Sequence, residues 1–416
     1  MINNLRESLI IALATVAGAR TIIRSPISQR LAPKSRVQPS SLLGRDEAQE
    51  PLLTPGTDTA SKSPINATNL LNYIEFTIDI TVGTPPQPFT VAIDIDSGDI
   101  PFVPSNECKG FCWQKHNFTS EDSSTYVSTG PNYYSEKSFA VNYDGPVGKD
   151  TVRINNVEIM SQTFMQWTSG TCYSILCLEG LFDGVFGFAP PWNHRNHPDN
   201  LLSTILSQEL LRDPVVSLRL PRNVGDTGEF VLGGSEPPDS LPEPITLPLV
   251  NATDDVGSPF ADLWSVRLTN MTFNTPKPLF QNMDDNAVAI LSTAQPWIIL
   301  PTEFARNLTE ALGAEHNPRS LIPYILPCER RQELPTLTIG LGDHRVEIDA
   351  WDYTMEWVPY WPPDSAPLCI PTFQSTSAFG YPNEYAGIVL GSPFLKRFYS
   401  SFDPGKREVR LTRLEV

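Results

Sequence analysis

Apolar and polar residues alternate along the chain from residue 73 onward, which is the pattern of half-buried β-strands. Residues 73–82 and 89–94 both alternate in this way, and the turn sequence GTPPQ at 83–87 separates them. A strand, a proline-rich turn and a returning strand predict a β-hairpin near the start of the folded region.

Segments with the apolar spacing of an amphipathic helix are few. We predict helices at 200–211 and 302–312, and Gly313 is a suitable stop for the second. The 40 prolines also disfavour long helices. At 416 residues the chain exceeds what one hydrophobic core usually organises. We therefore expect a mostly β protein with two domains.

Two segments of similar pattern, at 182–189 and 389–395, each contain two apolar residues followed by glycine. Glycine lets one strand pass close behind another backbone segment. Together with the GTPPQ hairpin, a sheet segment at 228–234 and a closing strand at 398–403, they resemble the pepsin family of aspartic proteases, peptidase A1. The resemblance implies a bilobal fold of two related β-barrel-like lobes joined by a shared sheet.

The resemblance places the N-terminal lobe at 70–240 and the C-terminal lobe at 241–416. Residues 1–19 have the apolar run and small residues of a cleavable signal peptide. Residues 20–69, crowded with Pro, Ser and Gln, are either a propeptide or a disordered linker.

Charge is distributed unevenly along the chain. Residues 1–45 contain seven Lys or Arg and one acid, a net of +6, which leaves −23 for 46–416 out of the total of −17. An acidic body excludes nucleic acid as a partner, because phosphate binding needs clustered Lys and Arg. The basic leader fits a propeptide that lies across an acidic cleft.

Five N-glycosylation sequons support a route through the secretory pathway. Their asparagines are Asn66, Asn117, Asn251, Asn270 and Asn307. No apolar stretch after the signal peptide is long enough for a membrane span. We expect a monomer that is extracellular or vacuolar and has no membrane anchor.

The cysteine count is even, which suits disulfides in an oxidising compartment. Two close pairs and two more distant residues leave the pairing open: Cys108 and Cys112, Cys172 and Cys177, and Cys328 and Cys369. The close pairs lack the compact spacing of common zinc modules. We predict no metal site and no cofactor.

In an aspartic protease two carboxylates lie so close that they share one proton. The family motif in each lobe is Asp-Thr/Ser-Gly, and in the first lobe two residues compete for the Asp position. Asp94 has the family's distance from the GTPPQ turn, whereas Asp96 is followed by the expected hydroxyl and glycine, Ser97 and Gly98. Loop chemistry slightly favours Asp96, with Ser97 and Gly98 contacting the substrate. In a regular strand both carboxylates would point the same way.

In the second lobe the resemblance places Ser292 at the Asp position, Thr293 at the hydroxyl, where it would contact substrate, and Ala294 at the glycine. The nearest upstream acids, Asp284 and Asp285, are roughly 23 Å or more away along an extended strand. Losing a positioned proton-transfer group typically costs about 100- to 10,000-fold in rate. Ser292 as a nucleophile would need a base, and no histidine has a family-supported place beside it.

Residues 143–152 resemble the hairpin that folds over substrate in the family, with Tyr143 as the substrate-contacting tyrosine. The segment is several residues shorter than the family pattern. The tryptophan that donates to this tyrosine is replaced by Phe102 or, in the other alignment, by Pro101, and neither side chain can donate. The predicted lid is therefore altered together with the catalytic pair.

These observations favour a secreted pepsin-family protein with little or no peptidase activity, whose cleft still binds an extended peptide. The alternative is an active aspartic endopeptidase that cleaves proteins at acidic pH through an unusual pair of carboxylates. A third interpretation is a phosphatase, because Asp94 and Asp96 after an apolar strand are similar to the DxD start of haloacid-dehalogenase-type enzymes. That class requires alternating β and α units.

Overall fold

A computed structural model describes sixteen segments of the chain. They are 61–70, 73–98, 100–108, 115–137, 141–155, 157–169, 182–192, 200–211, 213–222, 226–234, 237, 241–250, 263–316, 324–357, 368–379 and 387–415. The predicted signal peptide and most of the predicted leader lie outside these residues.

The described residues form mainly β-strands, as the alternating pattern predicted. The strands up to residue 250 are β1 (Ser61–Leu70), β2 (Tyr73–Val82), β3 (Gln87–Asp94), β4 (Phe102–Pro104), β5 (Val127–Lys137), β6 (Val141–Ile154), β7 (Val157–Trp167), β8 (Gly184–Gly187), β9 (Val216–Arg219), β10 (Thr227–Leu232) and β11 (Ile245–Pro248). The later strands are β12 (Ser265–Phe273), β13 (Leu279–Asn282), β14 (Val288–Leu291), β15 (Ile298–Leu300), β16 (Glu315–His316), β17 (Tyr324–Pro327), β18 (Leu337–Leu341), β19 (His344–Ile348), β20 (Thr354–Trp357), β21 (Leu368–Pro371), β22 (Phe373–Ser375), β23 (Gly387–Leu390), β24 (Phe398–Asp403) and β25 (Glu408–Arg413).

Helices in the described residues are short. They are α1 (Leu201–Ser207), α2 (Thr302–Ala311), α3 (Ala350–Tyr353) and α4 (Ser392–Leu395), with 3-10 turns at Ser120–Asp122, Cys328–Glu333 and Thr376–Phe379. The two predicted helices are confirmed as α1 and α2, although α1 ends four residues before the predicted limit. The alternating β and α units that the phosphatase interpretation requires do not occur in this part of the chain.

A 13-stranded sheet has the order β11-β25-β24-β9-β10-β1-β2-β3-β8-β4-β7-β6-β5. In it β1 is antiparallel to β10 on one side and to β2 on the other, so it joins the strands of the first lobe to the strands shared with the chain's C-terminal end. Residues 61–69, which were predicted to belong to the leader, are thus part of this sheet. Backbone pairing on both edges explains the difference, because such pairing is invisible in composition.

The C-terminal half forms an eight-stranded sheet with the order β19-β18-β12-β14-β23-β15-β22, in which β13 also pairs with β12. A smaller sheet has the order β16-β17-β21-β20. The disulfide Cys328–Cys369 joins β21 to the 3-10 turn after β17. Cys108 is also in a disulfide, while Cys112, Cys172 and Cys177 lie outside the described residues.

The same three-strand arrangement is found in both lobes. In the first, β8 runs parallel to β3 and antiparallel to β4; in the second, β23 runs parallel to β14 and antiparallel to β15. A Cβ on Gly187 would lie 2.2 Å from the carbonyl oxygen of Ser97, and one on Gly391 would lie 2.2 Å from that of Gln295. Only glycine permits these approaches, and the predicted duplication is confirmed.

The hydrophobic core is continuous across the lobes. Trp264, fully buried in the second half of the chain, donates its indole N–H to the carbonyl oxygen of Phe188 at 3.1 Å and packs against the ring of Phe402. The fold is the mostly β, bilobal pepsin-like architecture that the resemblance implied. Within the described part of the chain, every helix is too short or too polar to cross a membrane.

Candidate active site

Asp94 is the last residue of β3 and pairs with Gly187 across the parallel β3–β8 ladder. Its Oδ1 accepts hydrogen bonds from the backbone N–H of Asp96 at 3.1 Å and of Ser97 at 2.9 Å. A carboxylate that accepts from the next residues closes a turn. The strand therefore ends at Asp94, so the regular strand in which both carboxylates would point the same way does not extend to Asp96.

Asp96 lies within this turn, and its side chain reaches the second lobe. Its Oδ2 accepts a hydrogen bond from Ser292 Oγ at 2.9 Å. Ser292 follows β14, is fully buried, and accepts a hydrogen bond from the backbone N–H of Gln295 at 3.1 Å. The residue predicted to replace the second carboxylate thus faces a carboxylate of the first lobe.

Thr293 holds the two loops together. Its Oγ1 donates to the carbonyl oxygen of Ile93 at 2.9 Å and accepts from the N–H of Ile95 at 3.1 Å. Thr293 follows Ser292 in the chain as Ile95 follows Asp94. Because Ile95 has no hydroxyl, the first loop cannot form the equivalent pair of hydrogen bonds to the second. The two hydrogen bonds of Thr293 therefore form a one-sided clasp between the loops.

The duplicated strands relate Asp94 to Ser292 by position. Asp94 lies beside Gly187, and Leu291 pairs with Leu390, so Ser292 is the residue level with Gly391. This register favours Asp94 as the first-lobe equivalent of Ser292, although the loop motif had slightly favoured Asp96. The assignment of catalytic roles to either residue stays a prediction.

The predicted lid segment has a different structure from the one expected. Residues 143–152 lie within the single strand β6, which pairs with β5 on one side and β7 on the other. The prediction of a hairpin over this range was therefore wrong, because these residues are extended and pair with a separate strand on each side.

Tyr143 is buried rather than presented to solvent, at 5% exposure. Its ring lies 3.9 Å from that of Phe102 and meets Trp167 edge-on at 5.4 Å, both between ring centroids. Phe102, one of the two replacements considered for the family tryptophan, is in direct ring contact with Tyr143. Trp167 was not anticipated, because an aromatic residue near a strand end is common in sequence. A substrate contact by Tyr143 stays a prediction.

The remaining predicted groups lie around these loops or away from them. The carbonyl oxygen of Ser97 accepts a hydrogen bond from the N–H of Ala189 at 3.2 Å, and Gly98 is buried.

Among the residues that the structure describes, the other acids and histidines considered for the site lie elsewhere. Asp285 is exposed, and its carboxylate lies 3.9 Å from the guanidinium group of Arg267. Ser292 has no hydrogen bond to any of the histidines that the structure describes; His116, for example, bonds Asp183 at 2.9 Å.

The two lobes bring different chemistry to this site. The first supplies two carboxyl groups, Asp94 and Asp96, and the second supplies the hydroxyl of Ser292. A serine hydroxyl donates and accepts hydrogen bonds but does not exchange a proton in the pH range of a carboxyl group. Among the described residues, no cluster of three or more His, Cys, Asp or Glu is arranged to hold a metal ion.

Comparison with known proteins gives a consistent picture. A family model described as "Eukaryotic aspartyl protease" matches residues 75–414. "Probable vacuolar protease A" of Arthroderma benhamiae is 28% identical over 356 residues, which cover 83% of this chain and 80% of the relative. Human cathepsin D is 28% identical over 363 residues (82% and 81%), and human napsin-A is 28% identical over 403 residues (92% and 87%).

Proposed function

Because this chain belongs to the eukaryotic aspartyl protease family, we propose that it is a secreted or vacuolar member with little or no peptidase activity, whose cleft binds an extended peptide segment. The observation that carries the proposal is the hydroxyl of Ser292, which lies 2.9 Å from Asp96 at the junction of the lobes. The strand register supports the equivalence of Ser292 and Asp94: Leu291 pairs with Leu390, the residue before Gly391, and Asp94 pairs with Gly187.

The missing carboxyl group matters because the reaction needs two proton-transfer partners. The ionised carboxylate accepts a proton from the attacking water, while the protonated partner donates to the peptide carbonyl oxygen. A hydroxyl from Ser292 gives this second position a hydrogen bond but no exchangeable acid. Losing one such group typically lowers the rate by about 100- to 10,000-fold.

Peptide binding depends on less demanding features. An extended peptide is held largely by backbone hydrogen bonds, as an added strand would be. The loops that form the floor between the lobes stay joined by Thr293, whose hydroxyl contacts both Ile93 and Ile95. The proposal includes the basic leader as the chain's own propeptide and a monomeric state. A relative named vacuolar protease A supports the secretory route.

The experiment compares the wild-type protein with Ser292→Asp. Both are acid-treated, offered unfolded globin at pH 3 to 5, and applied to an immobilised statine-type inhibitor. We expect the wild type to bind the inhibitor without inhibitor-sensitive cleavage, and Ser292→Asp to gain cleavage. Inhibitor-sensitive turnover by the wild type would overturn the claim of inactivity, and failure of the folded wild type to bind would overturn the claim of a peptide-binding cleft.

A second candidate function is an active acid endopeptidase that takes both carboxyl groups from the first lobe. The observation that favours it is that Asp96 extends to Ser292, so its carboxyl group lies where the second lobe's acid is missing. In that case Asp94→Asn and Asp96→Asn would each abolish wild-type cleavage. Cleavage that survives either substitution would exclude this pair.

A further inference from the structure

The N-glycosylation sequons have the same sequence motif, but their asparagines differ in how exposed they are in the folded protein. Three of the five asparagines have described side chains: Asn117, Asn270 and Asn307. A glycan adds a bulky, hydrated group to the asparagine amide, so it is compatible with the folded protein only where that amide faces solvent.

Asn117 is an exposed residue in a segment that is otherwise fixed. Before it, His116 contacts Asp183 through both its backbone N–H and its ring. After it, Phe118 is fully buried, and Thr119 exchanges two hydrogen bonds of 2.9 Å with the side chain of Gln87. Asn117 itself is exposed and takes no part in the hydrogen bonds of the described residues. Its amide is held at the surface by neighbours on both sides.

Asn307 lies on the outer face of α2. Phe304 and Leu308 on the same helix are buried against the core, whereas Arg306 and Asn307 are exposed. Arg306 pairs with Glu303 at 3.4 Å on this outer face. A glycan on Asn307 would therefore displace no packed side chain.

Asn270 is in the opposite situation. It lies on β12, which is paired on both sides at this point, with Asn282 of β13 and Gly340 of β18. Its Nδ2 donates a hydrogen bond to Thr269 Oγ1 at 3.2 Å. The same Nδ2 atom lies 3.1 Å from the position that a Cβ would have at Gly340. The amide thus occupies the space above the glycine of the neighbouring strand, and the residue is half-buried.

We propose that Asn117 and Asn307 carry N-linked glycans in the folded protein and that Asn270 does not. This inference rests on the secretory route in the proposed function. In the modification, the Asn Nδ2 displaces the pyrophosphate of a polyprenyl-pyrophosphate oligosaccharide donor. A bond from Nδ2 to the sugar C1 forms, the bond from C1 to the pyrophosphate oxygen breaks, and the amide loses one proton.

The test uses full-length protein expressed in a eukaryotic secretory host, once with its own leader and once behind a heterologous signal peptide. The folded, monodisperse fraction is digested with peptide N-glycosidase in heavy-oxygen water, which converts each glycosylated Asn to a labelled Asp. Mass spectrometry of the wild type then reports occupancy at each site without any substitution. We expect label at Asn117 and Asn307 and none at Asn270.

Asn117→Gln, Asn307→Gln and Asn270→Gln provide the matched variants. The first two should each migrate one glycan lighter than the wild type, and the third should migrate with it. Label at Asn270, or its absence at Asn117 or Asn307, would overturn the inference. If the protein is secreted only behind the heterologous signal peptide, that result counts against the proposed secretory route. Glycan occupancy can still be read from that sample, so the two claims are tested separately.

Discussion

Ser292 donates a hydrogen bond to Asp96 across the lobe boundary, with 2.9 Å between its Oγ and Oδ2 of the acid. The same hydroxyl accepts from the N–H of Gln295 at 3.1 Å, and Ser292 is fully buried. It therefore satisfies one buried donor and one carboxylate at the same time. This makes the residue a structural link between the lobes whether or not the site is catalytic.

Replacing Ser292 by Ala should lower the free energy of unfolding by about 1–3 kcal/mol, because the buried Gln295 N–H and the half-buried Asp96 carboxylate both lose a partner. Urea denaturation measures the change. Ser265→Ala is the matched control: Ser265 is also buried, but its hydroxyl has no hydrogen-bond partner among the described residues. Equal effects of the two substitutions would contradict a linking role for Ser292.

The one-sided clasp gives a second prediction. Thr293→Val keeps the shape of the side chain but removes the hydroxyl that bonds Ile93 and Ile95. We expect a loss of about 1–3 kcal/mol, since two buried backbone groups are left unsatisfied. Thr293→Ser keeps both hydrogen bonds and should retain most of the stability in the same urea titration. A Val variant as stable as the Ser variant would show that the clasp contributes nothing.

The site could be predicted from the sequence only up to the geometry of its loops. The motif pattern identified Asp94, Asp96, Ser292 and Thr293, and the structure brings all four together. The motif pattern could not decide whether Asp94 or Asp96 holds the first-lobe position, because the answer depends on where β3 ends. That point is set by hydrogen bonds from the N–H groups of Asp96 and Ser97 to Asp94, and spacing in the sequence does not contain this information.

The fold was predictable where a local rule forces it and not where pairing decides it. The glycines at 187 and 391 were identified because a strand can pass so closely behind another only without a side chain. A hairpin was predicted where residues 143–152 form a single strand, and most of β1 was assigned to the leader. In both cases the outcome depends on which strands lie on either side, and this is a tertiary property.

Gly187→Ala and Gly391→Ala should each destabilise the protein by on the order of 3 kcal/mol or more, because the added Cβ meets backbone oxygen, which has little room to move. For Gly391 two carbonyl oxygens lie within 2.3 Å of that position. Gly405→Ala is the control, since its nearest contact would be an ordinary 3.4 Å. Thermal unfolding should show large decreases for the first two and little change for the control. A mild effect at either site would mean that the strand can shift, contrary to the close packing of this motif.

Lys115 gives a prediction about alkaline stability. Burial lowers the pKa of its ammonium group from 10.5 to about 8, an effect that Asp183 opposes in part. The folded state therefore disfavours the charged form of Lys115, and below pH 8 the folded protein is destabilised by keeping that buried charge. Between pH 8 and 10.5 the folded state loses the proton before the unfolded state does, so the free energy of unfolding should rise. The rise attributable to Lys115 is on the order of 3 kcal/mol.

Lys115→Met removes the titrating group, so its unfolding free energy should rise less between pH 8 and 10.5 than that of the wild type. A remaining rise is expected from Lys396, whose pKa burial also lowers to about 8. Lys277→Met, at an exposed position, serves as the control and should follow the wild type. Urea titrations at several pH values measure the slopes. If Lys115→Met and the wild type rise equally, the ammonium group of Lys115 titrates at its ordinary pKa, and the buried charge has no part in alkaline stability.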